Sequence, residues 1–261
     1  MSDLISTQRR GSFAWIQLTA PRSNALTPEF GVALADAVRE AGGDRSYAAI
    51  AITTTARNFC TGADISVLDA VGNDPLEEEN FAGLGRIYEL FCVMQRSPIP
   101  IVAGVGGKVL GAGINLALAC DLRIAADDLD VRGFGVAGVH PGGGHLRMLD
   151  RNLAPGWGAA VALFGQRIDA STAATSGFAI RTVPRTELVE AVLGVAAAAG
   201  DDPALARKVT ESLRASQRTD LTPEAGVLLE RASQLWSLRR KAQFTGSAAT
   251  RTVSQKVEPS A

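Results

Sequence analysis

Two glycine segments, FCTGAD at residues 59–64 and GAG at residues 111–113, decide the fold of this chain. Each follows a predicted buried strand and precedes a predicted helix, which in the second case runs through Ala119. Either segment alone is typical of a sharp turn, but the pair favours a shared site. The first N–H groups of a helix point outward, with the positive end of the helix dipole behind them. Two such groups directed at one point would form an oxyanion hole.

Apolar runs of strand length alternate with helical patterns around these segments, which indicates an α/β fold. The predicted strands cover residues 13–19, 48–54, 99–105, 122–125 and 178–183. The second and third of these runs are apolar throughout, as expected for strands that are buried on both faces. The predicted helices include 28–41 after the cap residue Thr27, 84–94, and 222–244.

Two regions are predicted along the chain. Residues 1–190 are expected to form a β-rich core that binds the ligand. Residues 191–261 are expected to form an α-helical region that serves oligomerisation or covers the site. The polar residues 245–261 within this region are expected to be frayed.

The composition argues against several classes of function. The chain carries 26 Lys and Arg residues against 27 Asp and Glu residues, with 5% aromatic residues, so no nucleic-acid partner is expected. The cysteines Cys60, Cys92 and Cys120 lie far apart without a C-x-x-C pair, so neither a disulfide framework nor a metal site is predicted. The sequence contains no signal peptide and no apolar run long enough to cross a bilayer, so a cytoplasmic protein is expected.

The two glycine segments belong to a series of motifs that follow one another along the chain. They are PRSNAL at 21–26, FCTGADI at 59–65, GKVLGAG at 107–113 followed by Leu116 and CD at 120–121, GVHPGGG at 138–144, and WSLRRKAQF at 236–244. In this order they resemble the signatures of the enoyl-CoA hydratase/isomerase (crotonase) superfamily. The resemblance covers most of the chain, although the first motif is one residue shorter than the Pro-x-x-x-Asn-Ala-Leu turn of the family.

The resemblance implies an α/β, crotonase-like spiral of β-β-α turns with a C-terminal α-helical region, assembled as a homotrimer or a dimer of trimers. The ligand would be an acyl-coenzyme A thioester, so coenzyme A would enter as part of the substrate and no separate cofactor is expected. The backbone N–H groups of Ala63 and Ala112 would bind the thioester oxygen and stabilise the enolate charge that develops there.

By the same resemblance, further positions are candidates for contact with the coenzyme A thioester. Arg22 and Arg239 would bind its phosphates, with a solvated surface role as the alternative. Trp236 matches an aromatic position of the acyl pocket, with ordinary helix packing as the alternative. The remaining candidates surround the first glycine turn and are Ala25, Cys60, Gly62, Asp64 and Ile65.

Two positions depart from the family pattern and limit the reaction. A family hydratase uses one glutamate as the base for water and a second as the proton donor, and the resemblance places Asn115 and Phe134 at these positions. An amide can hold water but cannot remove its proton near neutral pH, and a phenyl ring can do neither. Efficient hydration is therefore not expected of this chain.

Histidines are the first substitutes to consider for the missing glutamates. His140 and His145 are the two histidines of the chain, and His140 is taken as the candidate catalytic residue, with a structural role as the alternative for both. Two functions remain: an enzyme of the hydratase/isomerase type with atypical acid–base residues, and a non-catalytic acyl-CoA-binding protein.

A dinucleotide site at residues 133–138, GFGVAG, is disfavoured because Pro141 prevents the helix that such a site needs.

Overall fold

The computed structural model of the protein describes residues 4–217 and 221–254. Its strands are β1 (Ile5–Arg10), β2 (Phe13–Leu18), β3 (Ala49–Thr54), β4 (Ile101–Val105), β5 (Lys108–Leu110), β6 (Leu122–Ala126), β7 (Asp130–Arg132), β8 (Ile168–Asp169) and β9 (Arg181–Val183). The main sheet has the order β1-β2-β3-β4-β6-β9. In this sheet β1 is antiparallel to β2, and the later neighbours are parallel. The central strands β3 and β4 are almost entirely buried, as their apolar sequences predict.

A second, smaller sheet consists of short segments that follow the main strands. β5, β7 and β8 lie side by side in that order. Two isolated parallel bridges, Leu26 with Ala63 and Cys60 with Val109, extend this layer toward the start of the chain. Successive turns of the chain therefore supply one strand to the main sheet and one short segment to the second layer before a helix begins. This arrangement confirms the predicted spiral of β-β-α turns.

The helices are α1 (Pro21–Asn24), α2 (Pro28–Gly43), α3 (Ile65–Asn73), α4 (Glu78–Gln95), α5 (Ala112–Leu118), α6 (His145–Asn152), α7 (Trp157–Phe164), α8 (Leu188–Ala197), α9 (Pro203–Ser216) and α10 (Pro223–Ser254). Single 3₁₀ turns cover Phe134–Ala137 and Arg185–Glu187. Helix α2 begins as predicted: the Thr27 hydroxyl accepts a hydrogen bond from the Phe30 N–H group at 3.2 Å. The second glycine segment begins α5, also as predicted.

The main sheet is packed on both faces. Alternate residues of its strands belong to two separate clusters of buried apolar side chains. Along β3, Ile50 and Ile52 belong to the large cluster that includes apolar residues of α2 and α4. Ala51 belongs to the opposite cluster, which Leu188 and Val192 of α8 cover. Because α8 packs on the sheet, the first compact unit of the chain ends at Pro203 and the second begins at Ala204. The boundary therefore lies later than the residue 190 at which the sequence pattern changes.

The limits of some elements differ from the predicted ones for local reasons. β4 begins at Ile101 and not at residue 99, because Pro98 and Pro100 have no N–H group for a strand ladder. β9 begins at Arg181 and not at residue 178, because Phe178 is buried directly after a turn at Gly177. Helix α10 continues to Ser254, past the point at which fraying is expected, and residues 255–261 lie outside the described residues.

Candidate active site

The two glycine turns lie against each other, backbone to backbone. A Cβ atom added to Gly62 would lie 2.8 Å from the Leu110 carbonyl oxygen and 3.7 Å from the Ala112 nitrogen. A Cβ atom added to Gly113 would collide with the Cys60 carbonyl oxygen. Side chains larger than hydrogen are therefore excluded at these two glycines, and the turns that carry Ala63 and Ala112 are brought together as the sequence predicts.

Hydrogen bonds around the junction use the neighbouring N–H groups but not those of the two alanines. Leu110 donates to the Cys60 carbonyl at 3.1 Å, Leu26 donates to the Gly62 carbonyl at 2.8 Å, and the Asp64 N–H group donates to the Leu26 carbonyl at 2.9 Å. Among the described residues, no group accepts a hydrogen bond from the N–H of Ala63 or of Ala112. The N–H groups of Ala63 and of Ala112 are therefore both available as hydrogen-bond donors.

The short element α1 is a left-handed turn and not a regular helix, and it fixes the segment that precedes Ala25 and Leu26. Arg22, Ser23 and Asn24 have φ angles of 53°, 58° and 56°, which residues other than glycine rarely adopt. Three groups hold the turn: Thr61 Oγ1 donates to the Arg22 carbonyl at 2.9 Å, Asn24 Nδ2 donates to the Phe59 carbonyl at 2.9 Å, and the Cys60 thiol donates to the Asn24 carbonyl at 3.1 Å. The sequence motif predicts a turn at these residues but not its left-handed backbone. The turn places Leu26 beside Ala63, with Ala25 buried next to it.

Asp64 organises the start of α3 and pairs with Arg22. Its carboxylate accepts hydrogen bonds from the Ser66 N–H group at 3.0 Å and from the Ser66 hydroxyl at 2.7 Å, which caps the helix. Arg22 Nη1 lies 3.0 Å from each carboxylate oxygen. The hydrogen bonds from Ser66, and then the Arg22 guanidinium, lower the pKa of this carboxyl below its ordinary value. Arg22 is largely exposed, but its charge already has a partner.

Asn115 and Phe134, the two residues for which the sequence predicts a departure from the family pattern, both contact His145. Asn115 is fully buried; its Oδ1 atom lies 2.6 Å from His145 Nδ1, and its Nδ2 atom donates to the Gly142 carbonyl at 2.9 Å. The rings of Phe134 and His145 are in edge-to-face contact, with 4.8 Å between centroids. Phe134 also lies over the second glycine turn, since its Cε1 atom is 3.8 Å from the position of a Cβ on Gly111.

The structure brings His145, and not His140, into this cluster. His145 is 1% exposed, and burial lowers the pKa of its imidazole to about 4, so the ring is neutral at physiological pH. His140 is exposed, and its Nδ1 atom lies 2.8 Å from the carbonyl oxygen of Pro141. The sequence contains a signal that separates the two histidines: His145, Met148 and Leu149 share the i, i+3, i+4 spacing of a buried helix face.

Two other candidates of the first glycine segment have contrasting environments. The Cys60 thiol is fully buried, and burial raises its pKa to about 12, so this residue contributes packing and backbone groups and not a reactive sulfur. Ile65, the first residue of α3, is 71% exposed. An apolar side chain exposed beside Ala63 is available for contact with a ligand.

Trp236 and Arg239 lie on α10, in the second compact unit. The Arg240 guanidinium lies 4.7 Å above the Trp236 ring, in a cation–π contact. Arg239 is exposed. The roles of Trp236 and Arg239 toward coenzyme A remain predictions.

The described side chains include no group of three or more His, Cys, Asp or Glu residues that could hold a metal ion. No helix within the described ranges is long and apolar enough to span a membrane.

The spiral of β-β-α turns, the second layer of short segments and the helices that follow define a crotonase-fold protein. Residues 8–236 match the family model described as Enoyl-CoA hydratase/isomerase, and the chain belongs to that family.

Similar proteins agree with this assignment. Over 206 residues the chain is 40% identical to a probable enoyl-CoA hydratase, EchA14, of Mycobacterium tuberculosis, with 77% of this chain and 76% of the relative covered. A solved enoyl-CoA hydratase/isomerase of Mycobacterium abscessus is 26% identical with a TM-score of 0.81, and 98% of each chain is covered. A Thermobifida fusca protein named as an enoyl-CoA hydratase, solved in complex with acetoacetyl-CoA, is 27% identical with a TM-score of 0.80, over 91% of this chain and 96% of that one.

Proposed function

We propose that the protein is an enzyme that acts on a coenzyme A thioester, whose carbonyl oxygen is bound by the N–H groups of Ala63 and Ala112. One observation carries the proposal: both N–H groups lie on the touching glycine turns and donate to no other group among the described residues. The acetoacetyl-CoA complex of the Thermobifida fusca relative supports the class of ligand. Coenzyme A is then part of the substrate, and the proposal includes no separate cofactor.

The two donors suit reactions in which negative charge moves onto the thioester oxygen. This happens when a proton leaves the carbon next to the carbonyl group, and also when a nucleophile adds to a conjugated double bond. N–H groups that are already in place bind the enolate oxygen more strongly than the neutral carbonyl, which lowers the barrier. Both hydration and double-bond isomerisation belong to this class.

Asn115 and Phe134 limit which reactions of that class the site can catalyse. Addition of water by the two-glutamate route needs a group that takes a proton from water and another that gives one to carbon. Neither an amide nor a phenyl ring does this near neutral pH. The proposal is therefore an enzyme of the hydratase/isomerase type with atypical acid–base residues. The inability of Asn115 and Phe134 to exchange protons also favours the second candidate, a non-catalytic protein that binds acyl-CoA at this site.

The proposal also assigns contacts and an assembly. Arg22, through its exposed guanidinium, and Arg239 are the candidates for the coenzyme A phosphates, and Trp236 is the candidate for the acyl group. Assembly as a homotrimer or a dimer of trimers is supported by exposed apolar side chains on α9 and α10, among them Val209 and Leu228. Light scattering after size-exclusion chromatography measures the number of chains directly.

An acyl-CoA screen tests the proposal and separates its two versions. Calorimetry with crotonyl-CoA, acetoacetyl-CoA and longer acyl-CoAs is expected to show saturable binding, and an absence of binding at every chain length would contradict it. Mass and absorbance spectra of the incubated thioesters then distinguish hydration, isomerisation and unchanged retention. Retention of all the thioesters without any chemical change would support the binding protein over the enzyme.

A further inference from the structure

We infer that His145 carries the proton in this site, with Nε2 as the accepting atom and Asn115 as the residue that positions the ring. The inference rests on the proposed function, because it supplies a proton carrier for a thioester that is bound by Ala63 and Ala112. It replaces His140, the histidine that the sequence favoured.

The hydrogen bonds of Asn115 determine which nitrogen of His145 accepts a proton. Asn115 Nδ2 donates to the Gly142 carbonyl, so Oδ1 is the atom that faces His145. An amide oxygen only accepts hydrogen bonds, so the hydrogen of that 2.6 Å contact is on Nδ1 of the imidazole. In a neutral ring with a hydrogen on Nδ1, Nε2 holds the free lone pair. This is the arrangement in which a third group orients a base for catalysis.

Nε2 of His145 is buried, and it makes no hydrogen bond to any described group. Buried acceptors without a partner cost stability and are rare in native proteins. An apolar residue could fill the same position of α6 without an unpaired acceptor. A proton or a hydrogen-bond donor that arrives with the substrate gives Nε2 a partner.

His145 lies next to the proposed thioester site. Asn115 is one turn after Ala112 on α5, and helical side chains point back toward the preceding turn, so its amide extends toward the Ala112 end of the helix. Phe134 contacts both His145 and the turn at Gly111. We expect this half-buried ring to move aside when a substrate contacts Nε2. Phe134 stands on a single 3₁₀ turn, and the space around the adjacent Gly135 is open.

The buried environment gives His145 the basicity of a carboxylate. Its pKa of about 4 is close to the value of about 4.3 for an ordinary glutamate, the residue that family hydratases carry at the positions of Asn115 and Phe134. His145 is therefore unprotonated at neutral pH and ready to accept. When negative charge develops on the nearby enolate, that charge favours the protonated imidazole.

A single proton carrier is sufficient for isomerisation of a double bond. His145 Nε2 removes a proton from the α carbon of a β,γ-unsaturated thioester, and the C–H electron pair enters the dienolate, whose oxygen is bound by Ala63 and Ala112. The imidazolium then returns the same proton to the γ carbon. The double bond moves to the α,β position, and the thioester carbonyl and the neutral imidazole are restored. The step consumes no water and needs no second carboxylate, which fits a site without either glutamate.

The test uses trans-3-hexenoyl-CoA and compares His145→Asn with His140→Asn. Asparagine at 145 keeps an N–H donor near the place of Nδ1 but has no basic nitrogen. His140→Asn is the matched control, because it makes the same change at the exposed histidine. The product, 2-hexenoyl-CoA, is followed by the absorbance of its conjugated thioester, and binding is measured by calorimetry.

The wild-type protein is expected to form the conjugated product. His145→Asn is expected to slow it by about 10²- to 10⁴-fold, with the dissociation constant of the thioester changed less than about threefold, and His140→Asn is expected to keep the wild-type rate. Full activity of folded His145→Asn, or binding by the wild type without isomerisation, would contradict the role of His145 and leave the proposed binding of the thioester intact. A wild type that binds no acyl-CoA would overturn the proposed function as well.

If His145→Asn does not fold, ¹⁵N spectra of the unsubstituted protein measure the protonation of His145 directly. Acetoacetyl-CoA is an acidic thioester that can form an enolate without further reaction. On its binding, the ¹⁵N spectrum of His145 is expected to change from the neutral ring to the imidazolium, with the signals of His140 assigned by its own variant. Saturation with acetoacetyl-CoA while His145 keeps its neutral spectrum would contradict the assignment.

Discussion

The Nδ1 atom of His145 lies 2.6 Å from the Oδ1 atom of the buried Asn115. The protonation state of His145 depends on the charge of the side chain at position 115. A buried carboxylate at 115 would attract a proton to the imidazole and raise its pKa, whereas a neutral amide leaves the ring neutral. Phe134 places a second uncharged side chain against the imidazole of His145. The uncharged side chains of Asn115 and Phe134 and the buried, neutral imidazole of His145 are therefore parts of one arrangement.

The low pKa of His145 predicts a loss of stability in acid. The pKa of a histidine is about 6.5 in the unfolded chain and falls to about 4 in the folded one. The unfolded state therefore binds more protons between these values, so stability is complete above pH 6.5 and decreases as the pH falls through 4. This residue is expected to account for a loss on the order of 3 kcal/mol. Urea denaturation at pH 7 and at pH 4 measures it.

Variants of the two histidines separate this effect from the titration of carboxylates. His145→Asn should lose less stability between the two pH values than the wild type, by roughly the amount assigned to the histidine. His140→Asn should behave as the wild type does. Equal acid sensitivity of all three proteins would show that His145 has an ordinary pKa.

Ala112 offers a direct test of the proposed oxyanion hole. It is the first residue of α5, a position at which proline is well tolerated because the N–H group has no helical partner. Ala112→Pro removes the donor, and Ala112→Gly keeps it. The proline variant is expected to lose about 3 kcal/mol of transition-state stabilisation, a 10²- to 10³-fold lower kcat, with a smaller loss in the glycine variant. Circular dichroism checks the fold, and equal rates in the two folded variants would refute the role of this N–H group.

Sequence patterns predict those parts of the fold that repeat or that have a distinctive composition. The apolar runs at β3 and β4 and the cap at Thr27 are of this kind. β1 was missed because it is a largely exposed edge strand, and β5, β7 and β8 are too short to show a period. The shared order of buried strand, glycine turn and helix start predicts that the two glycine turns lie together. The contact between Asn115 and His145 was not, because it joins residues that are 30 positions apart and are not linked by any repeating pattern.

Asp64 is expected to stabilise the fold mainly as the cap of α3 and less through Arg22. Replacement of a capping aspartate by alanine costs about 1 kcal/mol, whereas an ion pair with a largely exposed arginine contributes between about 0 and 1 kcal/mol. Asp64→Ala should therefore lower the free energy of unfolding more than Arg22→Ala does, and Asp64→Asn, which keeps an acceptor for Ser66, should lie in between. Denaturant midpoints of the three variants measure the order. A larger loss in Arg22→Ala would reverse this assignment.

The three cysteines are expected to react with a thiol reagent in two steps. Cys60 and Cys120 are buried, and burial raises the pKa of each thiol to about 12, so little reactive thiolate is present near neutral pH. Cys92 is partly exposed on α4 and should be labelled first. Mass spectrometry of peptides after brief treatment with iodoacetamide measures the order, and full unfolding in urea should equalise the three sites. Early labelling of Cys60 would contradict the close packing of the first glycine turn.

The wild-type protein is expected to hydrate crotonyl-CoA slowly, because neither Asn115 nor Phe134 exchanges protons with water. Each positioned acid–base group contributes about 10²- to 10⁴-fold. Asn115→Glu with Phe134→Glu should therefore raise the rate of hydration, and by more than the product of the single effects, because the two groups act on one water and one carbon. The decrease in absorbance of the conjugated thioester measures the rate.

The matched control for the double substitution is Asn115→Gln with Phe134→Gln, which introduces side chains of the same size that do not ionise. Asn115 is fully buried and Phe134 is half-buried, so new carboxylates at these positions cost stability, and unfolding must be measured for both double variants. The glutamine pair should remain as slow as the wild type, because an amide cannot take a proton from water. If the glutamine pair accelerates hydration as much as the glutamate pair, a change of pocket shape and not proton transfer limits the reaction. Hydration by the unmodified protein at the rate of the glutamate pair would show that His145 already activates water, and that the missing carboxylates do not restrict this site to isomerisation.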